Sequence, residues 1–131
     1  MERLILDTSV LISAERDRAK LADSVGDEDD VALAAITAAE LLVGVELADP
    51  RRRPARAAFV QAVLEQLRVE PYDLATAHAH AALLAHSRRT GRSRGGHDLL
   101  IAATAVVTKR IVVTADEAGF ADLPGVAVRT A

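Results

Sequence analysis

Three short segments of this 131-residue chain are apolar without interruption: Leu4-Ile5-Leu6, Val31-Ala32-Leu33-Ala34 and Ile111-Val112-Val113. A strand with one face in water alternates apolar and polar residues, so unbroken runs of this length mark strands covered on both faces. Such strands belong to parallel sheets with helices above and below. Weaker strand signals lie near Val69 and at Val126-Ala127-Val128. Between them, apolar residues recur at three- and four-residue spacing, as in Leu41, Val45 and Ala48 or Phe59, Val63 and Leu67. This spacing predicts helices over roughly 9–25, 38–47, 53–67, 75–89 and 98–108. Strands alternating with helices predict an α/β fold, a three-layer α/β/α sandwich with a mainly parallel central sheet. No repeat, low-complexity tract or long linker divides the chain, and its length suits one domain over 1–131.

Composition narrows the function classes. Half of the residues are hydrophobic, too many for intrinsic disorder, and the formal net charge is −3. Phe59, Tyr72 and Phe120 are the only aromatics. A platform that stacks single-stranded bases needs more rings than that, and a wholly basic duplex binder needs net positive charge. Cysteine is absent, which excludes disulfides, thiolate catalysis and cysteine-ligated zinc. The apolar start Leu4-Ile5-Leu6 is too short for a signal-peptide core. The longest apolar stretch, from Leu99 to Val107, is interrupted by Thr104 and is about half of a membrane span. A soluble, cytoplasmic protein with no membrane partner is expected.

In an open α/β sheet, ligands bind beyond the carboxyl ends of the strands. Asp7 follows the first strand directly, Asp116 lies three residues past Val113, and Glu40 comes soon after the second strand. Asp98 opens the helix that leads into the Ile111 strand, so the fold decides whether it joins the other three. Each acid also has an ordinary structural explanation. Thr37-Ala-Ala-Glu40 has the spacing of a capping box, Asp7 and Asp98 could cap the helices they precede, and Asp116 could stabilise a turn. Four acids converging at one edge would exceed what capping explains.

Carboxylates gathered within a few ångströms repel one another, and some take up protons unless a cation holds them ionised. With only hard oxygen ligands in the set, Mg²⁺ or Mn²⁺ is favoured over zinc. The reaction class that suits such a site is metal-dependent phosphodiester hydrolysis. Arginines cluster at Arg51, Arg52, Arg53 and Arg56 and again at Arg88, Arg89, Arg92 and Arg94. Singly these read as solvated helix ends, but two clusters could form a local anion-binding surface, with Arg51, Arg52, Arg88 and Arg92 as the candidates for contact with a phosphate backbone.

The chain resembles the PIN-domain ribonucleases, and more narrowly the VapC-type toxins of bacterial toxin–antitoxin pairs. The resemblance rests on four blocks in order: Leu6-Asp7-Thr8-Ser9, Ile36-Thr37-Ala38-Ala39-Glu40-Leu41-Leu42-Val43-Gly44-Val45, His97-Asp98-Leu99-Leu100-Ile101-Ala102-Ala103-Thr104-Ala105, and Val113-Thr114-Ala115-Asp116. It implies a PIN-like domain acting as a Mg²⁺- or Mn²⁺-dependent endoribonuclease, usually dimeric and inhibited by a small cognate VapB-type antitoxin. By the same resemblance Asp7, Glu40, Asp98 and Asp116 form the catalytic, metal-binding acidic set. Ser9 and Thr114 match hydroxyl positions that orient water or a carboxylate. The chain departs from the family where an acidic residue often precedes the phenylalanine: here Gly119 precedes Phe120. Glu117 is the acid that could stand in, although it equally suits the start of a helix.

His78, His80 and His86 read as surface or half-buried histidines. His97 adjoins Asp98, but neighbours along a helix point to different faces, so His97 is left outside the site. Leu11, Ile12, Leu41, Leu42, Leu99, Leu100 and Ile101 read as core. Two other functions compete. A phosphatase using Asp7 as nucleophile would usually carry an aspartate two residues later, where Ser9 stands, and would need a lysine partner from Lys20 or Lys109. A non-catalytic protein-binding module would use the acids as helix caps.

Overall fold

A computed structural model of the chain describes residues 1–131, the side chain of Lys20 apart. The chain runs β1 (Arg3–Leu6), α1 (Thr8–Arg16), α2 (Arg18–Ser24), β2 (Asp30–Ala34), α3 (Ala35–Leu47), α4 (Arg53–Gln66), β3 (Arg68–Glu70), α5 (Leu74–Thr90), α6 (Gly96–Thr108), β4 (Ile111–Thr114) and β5 (Val128–Thr130). A single 3-10 turn, Glu117–Gly119, follows β4. The five strands form one sheet in the order β3-β2-β1-β4-β5, and every pairing is parallel.

The unbroken apolar runs occupy the middle of the sheet because both faces there are covered. Side chains alternate across the sheet. Ile5 of β1 and Val112 of β4 join a core with Leu83 of α5, Ile101 and Ala102 of α6, and Phe120. Leu4, Leu6 and Val113 join a second core with Val10 and Leu11 of α1, Leu41 of α3 and Val60 and Val63 of α4. Helices therefore cover both faces, which is the three-layer sandwich that the runs predict.

Several boundaries differ from those read off the sequence. The single helix expected over 9–25 is broken at Asp17, whose backbone is extended and whose side chain accepts the Ala19 N–H to start α2. A local side-chain bond of this kind competes with the helix even where apolar spacing continues. α3 begins at Ala35 instead of 38, α6 at Gly96 instead of 98, and the last strand lies at Val128–Thr130, shifted towards the C-terminus. Leu11, Leu41, Leu99 and Ile101 are buried as expected, but Ile12 and Leu42 are 52% and 48% exposed. Spacing marks them as apolar without saying what they face.

One buried charge cluster has no counterpart in the sequence pattern. The Arg110 guanidinium donates to Leu4 O (3.2 Å), Asp30 O (2.9 Å), Asp30 Oδ1 (3.1 Å) and Glu70 Oε1 (3.2 Å). It ties the start of β4 to β1, β2 and β3.

The chain runs outward from β1 through β2 to β3, then returns to place β4 on the other side of β1. The strand order reverses between β1 and β4. Beyond the carboxyl ends of these two strands the connections diverge and leave a crevice, the place where open parallel sheets bind ligands.

Candidate active site

Asp7 and Asp116 leave β1 and β4 at that crevice. The Asp7 N–H completes the sheet by donating to Val113 O at 2.9 Å. Asp7 occupies the N-cap position of α1, yet its carboxylate accepts no capping N–H. Its Oδ2 instead accepts two hydroxyls, from Ser9 and Thr114, each at 2.8 Å. Each hydroxyl is itself held from behind. Thr114 Oγ1 accepts the Asp116 N–H at 3.0 Å, and Ser9 Oγ accepts the Ala115 N–H at 3.2 Å. The two hydroxyls thus lock one oxygen of a nearly buried aspartate, 7% exposed, to the loop after β4.

Glu40 is freed from capping by the early start of α3. With Ala34 at the N-cap, Thr37 lies inside the helix and the capping box does not form. Glu40 Oε1 accepts the Thr8 hydroxyl at 2.9 Å, and Oε2 lies 3.2 Å from His97 Nδ1. His97 and Asp98 do take different directions from α6, but the one His97 takes leads to Glu40. His97 therefore stands beside the acidic set, contrary to the expectation from helix faces. Asp98 stands in the first turn of α6, whose N-cap is Gly95, with no side-chain cap. Asp116 precedes the 3-10 turn and also caps nothing with its side chain. None of the four acids is a side-chain helix cap, so the explanation that competed with a shared role does not apply.

Electrostatics couples them. Partial burial pushes the Asp98 carboxyl above its usual range, and the charges of Asp7, Asp116 and Glu40 push it the same way, while His97 opposes the shift. Among the described residues, the carboxylates of Asp98 and Asp116 and the Oδ1 of Asp7 accept no hydrogen bond. These oxygens are the ones a hard cation would take. Among the same residues, no three acid or histidine side chains stand close enough to form a ready-made metal cage. Like charges without a counter-ion stay apart. Glu117, the possible stand-in for a fifth acid, instead accepts the Thr130 hydroxyl of β5.

The family model of the PIN domain matches residues 4–126. The chain belongs to the PIN-domain family. Ribonuclease VapC of Rickettsia bellii (strain RML369-C) is 28% identical over 128 residues, which are 97% of this chain and 95% of that protein. VapC ribonuclease Y4jK of Sinorhizobium fredii (strain NBRC 101917 / NGR234) is 39% identical over 126 residues, 89% of each. Among solved structures, a member of the VapBC family of toxin–antitoxin systems, VapBC-5 from Mycobacterium tuberculosis, matches with a TM-score of 0.83 at 30% identity and covers 100% of both chains.

The arginines of this PIN-domain chain divide by task. Arg53 donates to the carbonyls of Val45 (3.3 Å) and Ala48 (2.7 Å), closing the end of α3. Arg56 pairs with Glu15 at 3.1 Å and joins α4 to α1. Arg94 reaches the carbonyls of Ala118 (3.0 Å) and Ala121, and Arg92 pairs with Asp122. Of the four candidates for RNA contact, Arg92 is thus in an ion pair, Arg52 lies 3.9 Å from Asp49 on an exposed turn, and Arg51 and Arg88 are exposed. The phosphatase reading loses its parts. Ser9 serves Asp7 as a hydroxyl donor, Lys109 lies at the far end of α6 from Asp98, and the side chain of Lys20 is outside the described residues.

Proposed function

We propose that this PIN-domain protein is the endoribonuclease toxin of a toxin–antitoxin pair, with Asp7, Glu40, Asp98 and Asp116 holding Mg²⁺ or Mn²⁺. The observation that carries the reading is Asp98, a carboxyl pushed up by partial burial and then by the charges of three further acids, none of which caps a helix. The kinship with VapC ribonucleases supports it. When bound, a divalent ion supplies positive charge for a phosphodiester and for activating water. The protein's own part is to hold the acids in place. Ser9 and Thr114 fix one oxygen of Asp7 and leave the other for the ion. Thr8 and His97 fix Glu40, and exposed Arg51, Arg52 and Arg88 hold the RNA backbone at a distance from the cut.

The partner is a VapB-type antitoxin, a reading supported by the toxin–antitoxin systems among the similar structures. A cleft of about 230 Å³ beside Glu40, lined by Leu11, Ile12, Leu41 and Phe59, offers an apolar segment of that partner a seat. Exposed Ile12, which lines this cleft, would then be covered. The same reading makes the protein a homodimer that acts in the cytoplasm. Among the described residues no helix is long and apolar enough to cross a membrane.

The deciding experiment is cleavage of structured RNA by purified protein with Mg²⁺, with EDTA and with Asp98→Asn. Cleavage is expected in the first sample alone. Cleavage persisting in both others would sink the metal mechanism. Mapping RNA ends after brief induction would name the substrate.

A further inference from the structure

A side chain on Gly119 would collide with the Asp98 carboxylate unless that group moved. A Cβ built there falls 2.6 Å from Asp98 Oδ2 and 4.0 Å from Asp116 Oδ2. The backbone is not the obstacle, because Gly119 sits in a 3-10 turn and is absent from the residues with positive φ. Any L-residue could adopt that conformation, so the constraint comes from the Asp98 carboxylate alone. A second glycine flanks the same oxygen: a Cβ on Gly95 would lie 3.3 Å from Asp98 Oδ2.

The turn cannot easily retreat. Phe120, 1% exposed, anchors its end in the core with Ile5, Ala102 and Val112. Arg94 grips the carbonyls of Ala118 and Ala121 on either side. The Asp98 carboxylate, by contrast, is the free end of a short side chain with no hydrogen bond to hold it. If a methyl group were added at 119, Asp98 would be the part that moves.

We infer that Gly119 is a positioning residue: its missing side chain is the space into which the Asp98 carboxylate fits, and that space sets where Asp98 meets a divalent ion. The inference rests on the reading of the four acids as an ion site. It also gives the departure from the family's acidic pattern a physical sense. In this chain position 119 contributes room for an existing acid instead of a further acid.

The test measures Mn²⁺ affinity by titration calorimetry for the wild type, Gly119→Ala, Gly95→Ala, Asp98→Asn and the Asp98→Asn/Gly119→Ala pair, with thermal melts of the metal-free proteins alongside. Gly119→Ala should weaken Mn²⁺ by about tenfold or more, as displacement of a supporting group does at metal sites. Gly95→Ala should have a smaller effect, because its contact is milder. In the Asp98→Asn background Gly119→Ala should cost nothing further. Equal affinity of Gly119→Ala and wild type overturns the inference and leaves the ion site standing, and so does an added loss in the double variant. No Mn²⁺ binding by wild type overturns both readings. If Gly119→Ala melts lower, the Asp98→Ala/Gly119→Ala pair makes room at 98. Recovery of the melt supports the contact, and no recovery refutes it.

Discussion

Thr114 Oγ1 lies 2.8 Å from Asp7 Oδ2 while accepting the Asp116 N–H at 3.0 Å, so one hydroxyl joins the acids at the ends of β1 and β4. A hydroxyl has a single proton, and donating it to Asp7 leaves its lone pairs for the amide. The same group thereby orients one acid and fixes the backbone of another.

Thr114→Val keeps the shape of the side chain and removes both bonds. The Asp116 N–H loses its partner and Asp7 Oδ2 loses one of two donors, which should cost about 1–3 kcal/mol by urea denaturation. RNA cleavage should fall by about 10- to 100-fold, the usual effect of removing a support behind a metal ligand. Thr114→Ser retains the hydroxyl and should recover most of both. Equal activity of the valine and serine variants would show that the hydroxyl is not used.

Asp98 makes the metal-free protein sensitive to pH. Its carboxyl is pushed above the ordinary value of 3.8, chiefly by burial and then by Asp7, Asp116 and Glu40. The folded state therefore holds a proton that the unfolded state has released, and over that interval stability falls as pH rises. Below 3.8 this penalty is absent; above the raised folded value it is complete. Asp98→Asn should remove this contribution, melting higher than wild type near neutral pH without metal while losing cleavage. Added Mn²⁺ should raise the melting temperature of wild type more than that of the variant. A lower melting temperature for metal-free Asp98→Asn at neutral pH would contradict the assignment.

The buried Arg110 is expected to serve stability alone. Its side chain is 1% exposed and pairs with Glu70, itself 11% exposed, at 3.2 Å. Arg110→Met would leave Glu70 with only the longer 3.7 Å pairing to Arg68, a nearly unpaired buried charge that should cost about 3 kcal/mol or more. Arg110 also holds the Asp30 carboxyl below its usual range by hydrogen bonding. That contribution is present above 3.8 and lost as pH falls through the lowered value, so the variant should lose part of the wild type's dependence on acid. A denaturation midpoint unchanged from wild type would refute the structural role.

The central strands were legible because burial on both faces leaves an unbroken apolar run. Asp7, Glu40 and Asp116 stood out as candidates because they follow those runs, whereas Asp98 opens a helix and its place depended on the fold. What the chain alone hid was set by distant partners. Asp17 breaks a helix whose apolar spacing continues, since a side-chain bond to Ala19 N–H leaves no trace in periodicity. Ile12 and Leu42 share their spacing with Leu11 and Leu41, and only the packing of α1, α3 and α4 separates the exposed pair from the buried one. His97 reaches Glu40 across 57 positions of sequence, and the helix-face argument concerned Asp98 alone. Arg110 had no signal at all, lying beside Lys109 like any pair of surface cations.

The arginines give the sharpest functional contrast, because neighbours identical in type do different work. Arg51 and Arg52 stand on an exposed turn, while adjacent Arg53 closes α3 through the carbonyls of Val45 and Ala48. If the exposed pair holds RNA phosphates, Arg51→Ala/Arg52→Ala should weaken RNA binding most at low salt. The salt dependence of log K should flatten by up to about 1.4, near 0.7 for each single-strand phosphate that is no longer neutralised. Its melting temperature should be unchanged, and so should kcat, since neither residue approaches the four acids. Arg53→Ala should show the reverse, with a lower melting temperature from uncapped carbonyls and an unaltered salt slope. Arg88→Ala should behave like the exposed pair if both clusters face one RNA. Binding measured by fluorescence anisotropy from low to physiological salt separates the outcomes, and an unchanged slope in the Arg51→Ala/Arg52→Ala protein would remove this turn from the RNA surface.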